Sequence, residues 1–304
     1  MFFKLRSEAT LRETVELSGI GVHNGLPTLI RIKPSAKNTG IRFRRIDRVG
    51  CDNVIRLSPQ AVVNPIMCTR ITNGIGVSVA VIEHLLAAFR ICGITNAEVE
   101  VNTDEIPIMD GSARKFVEAF KRSGTIYQNS FVPAVIISET ISVSYKSASV
   151  LIKPAHIAQF SVKLDYDRIN PVIGNDNFYS FTLSDNLDDI ARARTFGWAS
   201  DYDKVRSMGL AKGASEENTL VIAEDNIIKN AGGLRNPKEI VMHKCLDLIG
   251  DISIIGYDII GKVECTNPSH YANNLLAKQL LNEIDKHEVI TESLSHNIRC
   301  LKFA

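Results

Sequence analysis

The chain has 304 residues, 45% of them hydrophobic and 23% charged, with a formal net charge of +1. That apolar fraction is enough for one large core or two ordinary ones, and near-neutrality without a basic run excludes nucleic acid as the main partner. No stretch approaches the roughly 18 consecutive apolar residues of a membrane span, so the sequence predicts a cytoplasmic protein that touches a membrane, if at all, only at its surface.

Met1-Phe-Phe-Lys-Leu-Arg6 is too short an apolar run for a signal peptide. Glu13-Thr-Val-Glu-Leu17 then leads through a Gly-rich turn to Leu29-Ile-Arg-Ile-Lys-Pro34, a hairpin of alternating residues. Ser78 to Phe89 predicts a helix over about 79–92, capped by Ser78 and ending before Gly93, and a second follows over about 112–123. A polar stretch, Tyr127 to Pro133, marks a domain boundary, with a first domain over 1–128 and a second over 129–304.

The second half repeats the pattern. Glu139-Thr-Ile-Ser-Val143 and Val150-Leu-Ile-Lys-Pro154 form another hairpin that also ends in Ile-Lys-Pro. Residues 209–236 read as an insertion with a short strand or helix, either a lid or channel wall or an ordinary surface excursion. Asn236-Pro-Lys-Glu239 has the form of a capping box and opens a helix over about 237–249 that stops at Gly250. A last helix covers about 269–286. Strands followed by helices, twice, predict an α+β fold of two domains with similar topology, each a β-sheet layered with helices, the helices packed between the two sheets.

His243 and Asp247 lie four apart on one helix face, which makes half of a zinc site or a surface ion pair. Glu83 and His84 are adjacent polar groups in a stripe that should be buried, and a buried carboxylate needs a partner. That partner is a metal or its water, or else Glu83 sits at the stripe's edge and His84 is a core histidine. His84, His243 and Asp247 together would be three ligands with a fourth position open, the pattern of a hydrolytic site. Cys51, Cys68, Cys92, Cys245, Cys265 and Cys300 lie far apart with no Cys-x-x-Cys, so they read as reduced thiols rather than ligands.

Beyond these patterns the chain resembles the UDP-3-O-acyl-N-acetylglucosamine deacetylase (LpxC) family, zinc amidases of the committed step of lipid A synthesis in Gram-negative bacteria. The resemblance rests on Gly19-Ile-Gly-Val-His23-Asn-Gly25, Met67-Cys-Thr69, Val81-Ile-Glu83-His84-Leu85 and Glu105-Ile-Pro-Ile-Met-Asp-Gly-Ser112. It continues through Ala193-Arg-Thr195-Phe-Gly197, His243-Lys-Cys-Leu-Asp247-Leu-Ile-Gly-Asp251 and His270-Tyr-Ala-Asn-Asn274.

It implies His84, His243 and Asp247 as ligands of one catalytic zinc ion, with iron(II) as the alternative in the cell. Glu83 resembles the general base toward water, and Thr195 the hydroxyl that holds the oxyanion. His270 resembles the second acid/base group and Asp251 its orienting carboxylate. Lys244 is similar to a lysine at the sugar-nucleotide end of the site, and Asp165-Tyr166 to a uridine-contacting pair. Met67, Cys68, Phe196 and the insertion would line an apolar passage for the acyl chain, with Met67 and Phe196 as core residues the alternative. The implied partner is a lipid-like UDP-sugar, and a monomer is expected.

Two departures stand out. Asn267-Pro-Ser269 replaces a usual Lys-Ser-Gly before the catalytic histidine, and Ala211-Lys-Gly-Ala214 replaces a Cys-x-Gly-Gly pattern. The tail Arg299-Cys-Leu-Lys-Phe-Ala304 reads as a loosely docked end or a degradation signal. A silent sugar-nucleotide sensor and a metallohydrolase for another acylated amine are the competing functional readings.

Overall fold

In the computed structural model, which describes residues 5–50, 52–173 and 176–291, each Ile-Lys-Pro hairpin seeds a five-stranded sheet. The first sheet comprises β1 (Val15–Ile20), β2 (Pro27–Pro34), β3 (Ile41–Arg45), β4 (Val54–Arg56) and β5 (Ala97–Val101), in the order β1-β2-β5-β3-β4. The second comprises β6 (Ile141–Tyr145), β7 (Ala148–Lys153), β8 (Gln159–Lys163), β9 (Phe178–Thr182) and β10 (Lys262–Thr266), in the order β6-β7-β10-β8-β9. In both, the third strand across is antiparallel to the hairpin and parallel to its other neighbour. The chain walks one topology twice.

Period-two burial fixes the register. Ile30 and Ile32 of β2 face inward opposite Val101 and Val99, and Val150 and Ile152 of β7 face inward opposite Cys265 and Val263. Helices α1 (Glu83–Ile91), α2 (Arg114–Ser123), α3 (Glu239–Ser253) and α4 (His270–Asn282) lie between the sheets. Helix α3 packs against α1, α4 and strands β8 and β9, while α4 covers β6 and β7 and α2 covers β1. A single apolar cluster runs through both halves, from Ile30 and Phe43 to Val263 and Leu276.

Three local expectations need correction. Ser78–Ala80 is a strand, paired with Arg70–Thr72, and Ser78 caps nothing. The β-branched alternation there serves a hairpin, and the chain turns into α1 only after Val81, whose φ of 59° lies in the left-handed region. Gly250 does not stop α3, which runs on to Ser253. Asn236 does not cap it either: Lys238 holds that position, Asn236 Oδ1 accepts from the Lys238 N–H at 2.9 Å, and Glu239 is recruited elsewhere.

A strand over Thr125–Phe131, paired with Ser7–Leu11, carries the chain from one half to the other. Within 209–236, Leu220–Ile222 pairs in parallel with Phe196–Trp198. Lys212 and Gly213 donate backbone hydrogen bonds to His23 and Val22 of the first half. Cys68, Cys92, Cys245 and Cys265 are free thiols. Cys51, Cys300 and the 299–304 tail lie outside the described residues. No helix among the described residues is long and apolar enough to cross a membrane.

Candidate metal centre and active site

The site forms where α1 crosses α3. Gly250 stands against the backbone of Glu83, and a Cβ built there would meet the Glu83 carbonyl oxygen at 2.1 Å. This close approach sets the first turn of α1 beside the middle of α3. One ligand atom each from His84, His243 and Asp247 then falls within 4.8 Å of the others, and all three side chains are buried. Asp247 Oδ1 is 3.6 Å from His84 Nε2 and 3.4 Å from His243 Nε2.

The chemistry of this group fits a cation. Asp247 Oδ1 is buried without a hydrogen-bond partner among the described residues, which costs several kcal/mol unless something positive satisfies it. His243 Nδ1 lies 3.1 Å from the Ala193 carbonyl, which can only accept, so Nδ1 carries the proton and Nε2 keeps its lone pair toward Asp247. Burial pushes the His243 pKa down to about 3, keeping the ring neutral as a ligand must be. Burial would raise Asp247, but His243, Lys244 and His270 hold it well below the usual carboxylate range. Two imidazoles and one carboxylate are a donor set suited to zinc.

The carbonyl that orients His243 is itself anchored. Arg194, next in the chain, is ion-paired with Glu239 at the start of α3, Nε to Oε1 at 2.8 Å, with both side chains largely buried. Glu239 also accepts from the backbone N–H of Arg194 and of Arg235. The acidic residue expected to cap its helix instead ties the Ala193–Thr195 segment to it.

Beside this group lie Glu83 and His270. His270 Nε2 is 3.7 Å from Glu83 Oε1 and 4.0 Å from Asp247 Oδ2, while its Nδ1 donates to Asp251 Oδ2 at 3.0 Å. Burial would lower the His270 pKa, but Asp251, Glu83 and Asp247 outweigh it and raise the value to about 9. Burial raises the Glu83 carboxyl, with His270 and His84 pulling the other way. Ser269 caps α4, accepting from the Ala272 N–H, so His270 opens that helix.

The remaining candidates surround this centre unevenly. Lys244 Nζ donates to Asp247 Oδ2 at 2.9 Å and lies 5.5 Å from the centre of the Phe196 ring, which in turn edges His243 at 6.1 Å. Burial would lower the Lys244 pKa, but Asp247 and then Tyr166 raise it. Thr195 lies on the stretch between Ala193 and Phe196 and donates its backbone N–H to Gly111. Asp165 faces outward and pairs with Lys163. Met67 is half exposed at a φ of 66°, and Cys68 beside it is buried, its thiol raised by burial and then by Glu83. Sequence reasoning gave no role to Arg194, Glu239 as an ion-pair partner, Thr69, Asn273 or Asn274. Two consecutive asparagines immediately before Leu275-Leu-Ala277 were the available signal.

The family model for UDP-3-O-acyl N-acetylglycosamine deacetylase (LpxC) matches residues 8–282. A UDP-3-O-acyl-N-acetylglucosamine deacetylase of Nitratiruptor sp. is 38% identical over 94% of this chain and 94% of its own. Proteins of the same name from Nautilia profundicola and Helicobacter hepaticus are 37% and 36% identical, each over 93% of this chain and over 94% and 93% of their own. With the match running through every element that carries the buried His-His-Asp group, the chain belongs to the UDP-3-O-acyl N-acetylglycosamine deacetylase family.

Proposed function

We propose that this chain hydrolyses the acetamide of UDP-3-O-acyl-N-acetylglucosamine to UDP-3-O-acyl-glucosamine and acetate, the committed step of lipid A synthesis, with one zinc ion held by His84, His243 and Asp247. The observation that carries the reading is the buried pair beside those ligands, His270 Nε2 and Glu83 Oε1 at 3.7 Å. Amide hydrolysis needs a base for water and an acid for the expelled nitrogen, and this pair supplies both within one site. Zinc, when bound, lowers the pKa of water and polarises a carbonyl; iron(II) suits the same donors.

The chain's own residues do the rest. Glu83 takes a proton from the attacking water as its oxygen adds to the acetamide carbon. The Thr195 hydroxyl donates to the oxygen on which charge develops. His270, protonated and held at Nδ1 by Asp251, gives the Nε2 proton to the nitrogen as the C–N bond breaks. The proton on Glu83 then passes to His270 across the short gap between them, and the free amine and acetic acid leave, the acid releasing its proton to water as acetate. Lys244, Tyr166 and Phe196 offer a cation and aromatic faces to the sugar-nucleotide part of the substrate, and Met67 an apolar contact to the acyl chain.

The test is deacetylation by purified protein before chelation, after it, and with zinc restored. Activity should vanish with the chelator and return with the metal. Glu83→Gln should keep one metal per chain while kcat drops by about 100-fold or more. Folded protein inactive in every metal state would sink the reading.

A further inference from the structure

Asp251 and Glu83 come from different helices, and one buried side chain ties them together. Thr69, fully buried, donates its backbone N–H to Glu83 Oε2 at 3.0 Å and its hydroxyl to Asp251 Oδ1. The same hydroxyl accepts from Asn274 Nδ2 at 3.0 Å, and Asn273 Nδ2 donates to Asp251 Oδ2 at 2.9 Å. We propose that Thr69 is a positioning residue for the hydrolysis proposed above, coupling the placement of the base Glu83 to that of the acid pair His270–Asp251 through its own N–H and O–H.

Donor and acceptor roles are forced. Asp251 accepts from Thr69 at Oδ1 and from Asn273 and His270 at Oδ2. With its proton committed to Asp251, the Thr69 oxygen must accept, so Asn274 must present its amide nitrogen. Asn274 Nδ2 also donates to the His270 carbonyl at 2.8 Å, closing a loop back to the acid. The arrangement is costly: the side-chain oxygens of Asn273 and Asn274 are buried without partners among the described residues. Two buried orphans beside a carboxylate that accepts three hydrogen bonds suit a network kept for alignment rather than stability. Thr69 touches none of the three metal ligands through these bonds, so its role separates from metal binding.

The experiment compares wild type, Thr69→Val, Thr69→Ser and Asn274→Ala, each checked for folding and metal content. Valine keeps the shape and removes the hydroxyl, and serine keeps the hydroxyl. Thr69→Val should bind one metal per chain with KM within about twofold of wild type and kcat down about 10- to 100-fold. Thr69→Ser should recover kcat to within about threefold, and Asn274→Ala should lower kcat with KM unchanged. Normal kcat in Thr69→Val would overturn the proposal, as would equal losses in the serine and valine variants. Should Thr69→Val not fold, Asn274→Ala decides alone: a normal kcat there overturns the coupling. An inactive wild type brings down the functional reading and this one together, whereas an active wild type with an unimpaired valine variant removes only this one.

Discussion

Gly250 lies so close to Glu83 that a Cβ on the glycine would stand 2.1 Å from the carbonyl oxygen and 2.8 Å from the carbonyl carbon. The two helices that bring His84, His243 and Asp247 together therefore approach as they do because residue 250 has no side chain. Helix propensity alone predicts that Gly250→Ala stabilises α3 by about 1 kcal/mol. The contact predicts the opposite, since backbone cannot yield as a side-chain tip can. We expect a net loss of about 1–3 kcal/mol and weaker metal binding as α1 is pushed away. Thermal unfolding and metal titration check both, and a stabilised alanine variant would show the crossing to be looser.

The Arg194–Glu239 pair yields a second prediction. Removing one partner of a buried ion pair leaves an uncompensated charge, at about 3–5 kcal/mol, whereas replacing both with apolar residues costs far less. Glu239→Ala should thus be strongly destabilising, and Arg194→Met combined with Glu239→Met should regain most of the loss. Metal affinity should fall in both, because the Ala193 carbonyl loses its anchor beside His243 Nδ1. Denaturant titrations of the single and double variants give the coupling energy.

Asn267, one of the two departures noted in the sequence, has a structural duty. Its φ is 49°, a region that asparagine tolerates better than most residues. Its Oδ1 accepts from the Asp165 N–H at 2.6 Å and its Nδ2 donates to the Asp165 carbonyl at 2.9 Å, holding the loop that leads to Tyr166. Asn267→Ala should cost about 1–3 kcal/mol and raise KM. Asn267→Gly relieves the backbone but loses the same bonds, so it should remain destabilised. A glycine variant as stable as wild type would assign the whole effect to backbone conformation.

What was legible in the sequence was local. The two Ile-Lys-Pro hairpins stood out because alternating burial writes itself into consecutive residues, and both sheets grow from them. His243 and Asp247 stood out because four residues make one helical turn. The misreadings have a common cause in distant partners. Ser78–Ala80 carries residues that suit helix or strand, and pairing with Arg70–Thr72 decides it. Gly250 satisfies a helix-stop rule, yet it answers to Glu83 far away in the chain. Glu239 matches a capping box, yet Arg194 claims its carboxylate. Thr69 and Asp251 lie 182 positions apart, and no periodicity links a lone threonine to a carboxylate at that distance.

The pH dependence of the reaction should be set by His270 on the alkaline side. Burial disfavours its charge, but Asp251, Glu83 and Asp247 together raise its pKa from 6.5 to about 9. A raised folded-state value means that the imidazolium's contribution to stability is fully present below about 6.5 and is lost as pH rises through about 9. In the mechanism proposed above the same protonated ring donates to the leaving nitrogen, so kcat/KM should fall as pH rises through about 9. On the acid side Glu83 must be ionised to act as base, and burial raises its carboxyl, so the acid limb should lie above the ordinary 4.5. Asp251→Asn removes the negative charge bonded to Nδ1 at 3.0 Å. Its alkaline limb should therefore move down toward 6.5, and turnover at neutral pH should fall because less of the ring carries a proton. Rate profiles of the two proteins over the same pH range decide the matter. Coincident alkaline limbs would mean that another group titrates there and that His270 does not supply the proton.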